Sequence, residues 1–255
     1  MKAMRQDTAL QRVTDNDLTA AMEPFDSFWE GPKDVERGYT RFARFYAHNY
    51  LPHMPEDRDA RILVVSCGPG YMVNLLVERG YTGVRGIDSS PEKVAWAERR
   101  GLPCSVAQVF KYLEDEGGTL DVIFCEQEIN HLTKPETLAF LDLCRSRLSP
   151  GGRLIVHSIN GATPLTGSES RAGNFDHYYS LTEYSLEQVL SHAGFQGVRA
   201  FPLNLYVFWS NPLNYVALAV HWLWTLFFRV NFTLVGKNAR IFTKKIGAVG
   251  TAPSS

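Results

Sequence analysis

Between residues 61 and 159, five short apolar runs alternate with stretches of helical length, and this alternation constrains the fold more than any other feature. The runs are Arg61–Ser66, Val84–Asp88, Pro103–Val106, Leu120–Cys125 and Arg153–Ile159. Between them lie Met72–Arg79, Ser90–Arg100, Val109–Glu114 and Pro135–Leu148. Apolar runs without in–out alternation suit strands covered on both faces. Strands alternating with helices form a parallel, doubly wound α/β sheet. The punctuation agrees. Gly80 closes one helix, and Ser90-Pro91-Glu92 opens the next with a capping hydroxyl, a first-turn proline and an early acid.

The flanks carry the rest of the organisation. Residues 1–58 read as a polar arm followed by cap helices bearing Phe25, Phe28, Trp29, Tyr39, Phe42, Phe45, Tyr46 and Tyr50. Residues 59–255 form the main domain, with insertions at 160–181 and 208–238. Leu181–Ala193 is a helix, Gln196–Tyr206 a sixth strand and Arg240–Val249 a seventh. The apolar run Tyr215–Phe228 is 14 residues long, whereas a membrane-spanning helix needs roughly 20. A buried or interfacial helix is the better reading, as part of a helical pair on the sheet or a dimer contact. The aromatics and cations of 211–245 also leave peripheral membrane contact open.

A net charge of −1 provides no global basic field for nucleic acid. Cys67, Cys104, Cys125 and Cys144 are scattered with no CxxC pair, which suits a reducing compartment. With a polar N-terminal stretch that has no apolar leader run, the expected location is cytoplasmic.

The first strand runs into the turn Ser66-Cys67-Gly68-Pro69-Gly70. A P-loop would need GxxxxGK[ST], and no lysine follows these glycines. A dinucleotide loop would need a third glycine, but Asn74 and Leu75 stand there. The remaining reading is a site for S-adenosylmethionine. Bare backbone would approach the methionine and ribose moieties, and Asp88, at the end of VRGID, would accept from the two ribose hydroxyls.

The ordered set VVSCGPG, GIDSS, LDVIFCEQEINHL and LSPGGRLIV resembles the class I S-adenosylmethionine-dependent methyltransferases over roughly residues 60–160. The resemblance implies a Rossmann-like seven-stranded sheet with an antiparallel last strand and the apolar block inserted before it. It also implies cofactor contacts from Ser66, Gly68, Gly70, Asp88, Ser89, Gln108, Val109, Phe110 and Glu126, with S-adenosylhomocysteine as product. The chain departs from the family at Val64, where an acid is usual, and at Ser66, where a glycine is usual.

The segment Asn160–Thr182 resembles a subgroup associated with bacterial polysaccharide O-methylation. Asn160, Gly173, His177 and Thr182 match, while Asn174, Asp176, Tyr178 and Leu181 depart. This points to a sugar hydroxyl as acceptor, on a carbohydrate or a smaller glycoside. His177 is the expected base and Glu126 a second candidate. Gln127, His131, Asn160, Asp176 and Tyr178 are the expected acceptor contacts. The N-terminal aromatics would cap the cofactor. Glu126, Glu128, Asp176 and His177 could converge on a divalent ion, but nothing in their spacing requires one, and the reading carries no metal. Two rivals stay open: a small hydrophobic or quinone-like acceptor, favoured by the apolar block, and a cofactor-binding partner protein without turnover.

Overall fold

The computed structural model describes residues 32–115, 118–173, 175, 177–204 and 213–254. The first described element is α1 (Pro32–Asn49). It leads into β1 (Ile62–Val65), α2 (Tyr71–Glu78), β2 (Val84–Asp88), α3 (Pro91–Arg99), β3 (Cys104–Val106) and α4 (Val109–Asp115). Then come β4 (Leu120–Glu128), α5 (Lys134–Arg147), β5 (Leu148–Ile159), a short α6 (Gly167–Ala172) and α7 (Glu183–His192). The described chain finishes with β6 (Gln196–Pro202), α8 (Leu213–Leu234) and β7 (Lys245–Thr251).

The seven strands form one sheet in the order β3-β2-β1-β4-β5-β7-β6. β1 pairs in parallel with β2 and β4, and β4 with β5, while β7 lies antiparallel between β5 and β6. This is the expected doubly wound sheet with its last strand reversed. All four residues of β1 are buried, because helices cover both faces. One face packs Val64, Tyr71, Met72 and Leu76 with α1; the other packs Leu63, Val65, Phe110, Phe140 and Leu141 with α4 and α5.

Local chemistry fixes the helix starts. The Ser90 hydroxyl accepts from the Lys93 N–H, and Thr133 and Glu136 form a capping box on α5. Thr182 and Ser185 do the same for α7.

Two expectations are corrected here. The last strand is Lys245–Thr251, not Arg240–Val249: register is set by pairing Ile159 with Lys245 and Arg153 with Thr251. β6 ends at Pro202 in the described chain, and residues 205–206 of the expected strand lie outside it.

The apolar block is a single described helix, not a helical pair, and it is not buried. Over Val216–Leu234 its mean hydropathy is 1.2, with none of that window buried. Val216, Val220, Leu223, Phe227, Val230 and Leu234 are 44–79% exposed. A fully buried side chain of this kind contributes about 1.5–3 kcal/mol, so α8 leaves several kcal/mol of burial unused in water.

His53 stacks on Phe201 with ring centroids 4.1 Å apart. Burial holds its pKa below the ordinary 6.5, and the cations of Arg153 and Arg199 push it the same way. The folded protein therefore binds fewer protons here than the unfolded chain. The stabilisation is complete above 6.5 and is lost as pH falls through that value toward the folded pKa. We expect the urea midpoint to drop from about pH 7.5 to about pH 5.5, and the drop to shrink in His53→Gln. An equal drop in both proteins would reject this assignment.

Candidate functional site

The glycine turn joins β1 to α2 at the carboxyl edge of the sheet. Gly68 has φ +54° and Gly70 +82°, so both use conformations that side chains disfavour. Ser66 also sits at φ +54°, the only described non-glycine residue with positive φ. The turn thus keeps the backbone a glycine would take while carrying a hydroxymethyl group, at a cost of about 1–2 kcal/mol. Val64 is fully buried in the apolar layer, where a carboxylate would lack water.

Asp88 ends β2 and is 6% exposed. Its Oδ2 accepts from the Gly68 N–H at 2.8 Å and its Oδ1 from the Ser90 N–H at 2.9 Å. One carboxylate therefore ties the glycine turn to the start of α3. Of about four lone-pair positions on a carboxylate, two are used, leaving acceptors for a pair of vicinal hydroxyls. Beside it, an open cleft of about 440 Å³ is lined by Ser89, Val106, Ala107, Gln108, Lys111, Tyr112 and Asp115. A second small pocket between the turn and α5 is lined in part by Ser66, Val109 and Cys125. A buried acceptor pair, left-handed backbone and a partly apolar cleft fit the ribose and adenine of S-adenosylmethionine.

Other expected residues fall elsewhere. Phe110 does not face the cleft. It is 6% exposed and packs edge-on against Phe140 at 6.3 Å, because α4 buries Phe110 and Leu113 on one side. The described N-terminal aromatics do not cap a cofactor either. Half-buried Phe42 stacks on Tyr71 at 4.9 Å, and the buried Tyr50 meets Phe124 edge-on at 4.7 Å. Tyr39 supports the turn from below: its hydroxyl donates to the Pro69 carbonyl at 2.6 Å. Burial, partly offset by the Arg100 cation, pushes its pKa to about 12. Phe25, Phe28 and Trp29 lie outside the described residues.

On the acceptor side, His131 and His177 meet with ring centroids 4.6 Å apart at 76°. His177 Nδ1 lies 2.7 Å from the Ser170 carbonyl oxygen. A carbonyl only accepts, so Nδ1 carries the proton and Nε2 is left as the basic nitrogen of the neutral ring. Tyr178 is exposed, and its N–H donates to the Asn130 carbonyl at 3.0 Å. Asn160 is no acceptor ligand. It is fully buried, its Nδ2 donates to the Ile241 and Thr243 carbonyls, both at 2.9 Å, and its Oδ1 accepts from Ala162.

The residue the sequence reading passed over is Asn130. It is fully buried, and its Oδ1 accepts from the Ser158 hydroxyl and the Ile159 N–H, joining the ends of β4 and β5. An amide residue between Ile129 and His131, just after an apolar strand, is the sequence signal that would have marked it.

The side chains of Glu126, Gln127 and Glu128, and the whole of Asp176, lie outside the described residues. Among the described residues no three His, Cys, Asp or Glu side chains group as a metal site.

This sheet order, with its glycine turn and strand-end carboxylate, defines a Rossmann-like S-adenosylmethionine-dependent methyltransferase fold. The methyltransferase domain family matches residues 37–200, and the chain belongs to it. It is 28% identical over 165 residues to a ubiquinone biosynthesis O-methyltransferase of Xylella fastidiosa, covering 60% of this chain and 64% of that one. It thus spans just under two thirds of that relative's length. A SAM-dependent methyltransferase from Archaeoglobus fulgidus superposes with a TM-score of 0.60 at 17% identity, covering 92% of this chain and all of that one. Phosphoethanolamine N-methyltransferase 2 of Haemonchus contortus, solved with S-adenosyl-L-methionine, gives 0.56 at 15% identity, covering 90% of this chain and 60% of that one. The cofactor class is S-adenosylmethionine.

Proposed function

We propose that the chain is an O-methyltransferase whose acceptor is a hydroxyl on a small hydrophobic molecule of the quinone-like or lipid-like class. The observation that carries this is the match to relatives named ubiquinone biosynthesis O-methyltransferase. The expected sugar acceptor finds no support among the proteins it resembles. It is further weakened by Asn160, which matches the polysaccharide-associated loop but serves the fold.

When bound, the cofactor supplies a sulfonium methyl group for in-line displacement. The chain's residues do the rest. Asp88 holds the ribose hydroxyls while keeping the glycine turn in place. Gly68, Gly70 and Ser66 offer close-approaching backbone, Ser89 and Gln108 line the adenine cleft, and Val109 lines the smaller pocket beside the turn. His177 Nε2 takes the proton of the acceptor hydroxyl, with the Ser170 carbonyl fixing its tautomer. His131 packs against that ring and limits its rotation. Glu126, Gln127, Asp176 and Tyr178 are the remaining candidates for acceptor contacts.

The test is product mass spectrometry with two acceptor sets, prenylated catechols or phenols and soluble sugars or glycosides. Methylated prenyl catechol is the expected product. Transfer to sugars alone would restore the carbohydrate reading. Cofactor binding with no product from either set would leave a binding protein without turnover.

A further inference from the structure

We propose that the outward face of α8 docks on an anionic lipid bilayer and lies along it without crossing. This stands on the geometry and charge of α8 itself, not on the acceptor reading.

The helix is apolar on both its inward and its outward side. His221 and Thr225 lie on its half-buried side, with Phe228 and Phe232 packed on Phe242 at 5.6 and 5.0 Å. The opposite side carries Val220, Leu223, Phe227 and Val230, spaced three and four apart and 44–59% exposed. A surface helix in water turns its apolar stripe inward. Here Phe228 and Phe232 face the body beside His221 and Thr225, yet a second apolar stripe faces out. Trp222 and Trp224, 65% and 42% exposed, flank that stripe, and tryptophan favours the boundary between headgroups and acyl chains.

Charge selects the occupant. After Glu187 the chain carries six cations and no acid, whereas the first 187 residues carry 20 cations against 27 acids. α8 lies inside the positive segment, with Arg229 on the helix and Lys237 just beyond it, both exposed. Anionic lipid complements these two exposed cations at the carboxyl end of α8. A second copy docked through the same face would bring two positive segments together.

Topology selects the mode. At 22 residues α8 is about 33 Å long, enough to cross a hydrocarbon core of about 30 Å. Yet the chain leaves the sheet at Pro202 and returns at Ile246, and these two residues are paired neighbours. One crossing would put the helix ends on opposite sides of the bilayer. The chain would then have to return through hydrocarbon with its backbone groups unsatisfied. Lying in the interface avoids this. Both roots of α8 are at the carboxyl edge of the parallel strands, since Lys245 pairs with the last residue of β5. Docking would therefore turn the acceptor side of the sheet toward the lipid.

The test is flotation of the full chain with mixed phosphatidylglycerol–phosphatidylcholine vesicles and with phosphatidylcholine alone. A Leu223→Glu/Phe227→Glu variant is run beside it. The wild type should float with the anionic vesicles, several-fold less with the neutral ones, and the variant more than about tenfold less. Unchanged melting and S-adenosylhomocysteine affinity in the variant establish that its fold is intact. Wild type left at the bottom of the anionic gradient would overturn the proposal, as would a variant that floats equally well. A dimer in vesicle-free buffer that the variant abolishes, without flotation, would assign the face to a second copy. None of these outcomes depends on which acceptor is methylated.

Discussion

Asp88→Ala is expected to weaken S-adenosylhomocysteine binding by at least about 100-fold, read by calorimetric titration. Hydrogen bonds to a charged group contribute about 1.5–3 kcal/mol each, and two ribose hydroxyls would lose their acceptor together. The same carboxylate accepts from Gly68 and Ser90, so the alanine variant also loosens the turn. Asp88→Asn grades the loss. Its amide oxygen keeps one of the two backbone bonds while its NH2 faces the other N–H, so the melting temperature should fall less than in the alanine variant and affinity should drop about tenfold. Alanine binding within threefold of wild type would remove Asp88 from the cofactor site.

His177→Ala is expected to lower kcat by about 10²–10⁴ with S-adenosylhomocysteine affinity unchanged, the range for loss of a general base. A histidine that only pinned its loop to Ser170 would instead affect stability and acceptor KM. Added imidazole discriminates between the roles. It should restore part of kcat to the alanine variant, because a small base can enter the vacated volume, whereas it cannot rebuild a loop contact. Full activity in the variant would transfer the role to Glu126 or to another group. His131→Ala should fall between, since it removes the ring against which His177 packs.

The sheet was legible because its signals are local. β1, β4 and β5 contain dense apolar runs whose burial on both faces erases any ambiguity of period, and the short, exposed edge strand β3 is read from its place in the alternation. The turn and Asp88 were legible because two glycines and a strand-end acid have few other uses at that spacing. The direction of a side chain on a short helix was not. Val109 and Phe110 are adjacent, and only the packing of Phe140 decides which one enters the core. Asn160 was misread for a related reason. A polar residue after a strand looks like a ligand until its amide is found bonded to residues 81 and 83 positions later. The start of β7 was misplaced because Arg240–Thr243 is as strand-like in composition as Lys245–Thr251, and register depends on a partner far away in sequence. The exposure of α8 was beyond any pattern: apolar length marks a helix, but not what covers it.

The position of β7 between β5 and β6 imposes an order of events during synthesis. From Ile159 to Thr251 a ribosome adding 5–20 residues per second takes roughly 5–20 s. Through that interval β5 has no antiparallel neighbour and β6 has nothing to pair with, so the sheet stays open along one edge. The greasy helix is made within this window, before the strand that closes the edge. A nascent chain held at a lipid surface by that helix would have its unpaired edge shielded from other chains until β7 arrives. Refolding from denaturant would offer no such shelter, and there the waiting edge is the natural place for aggregation to begin.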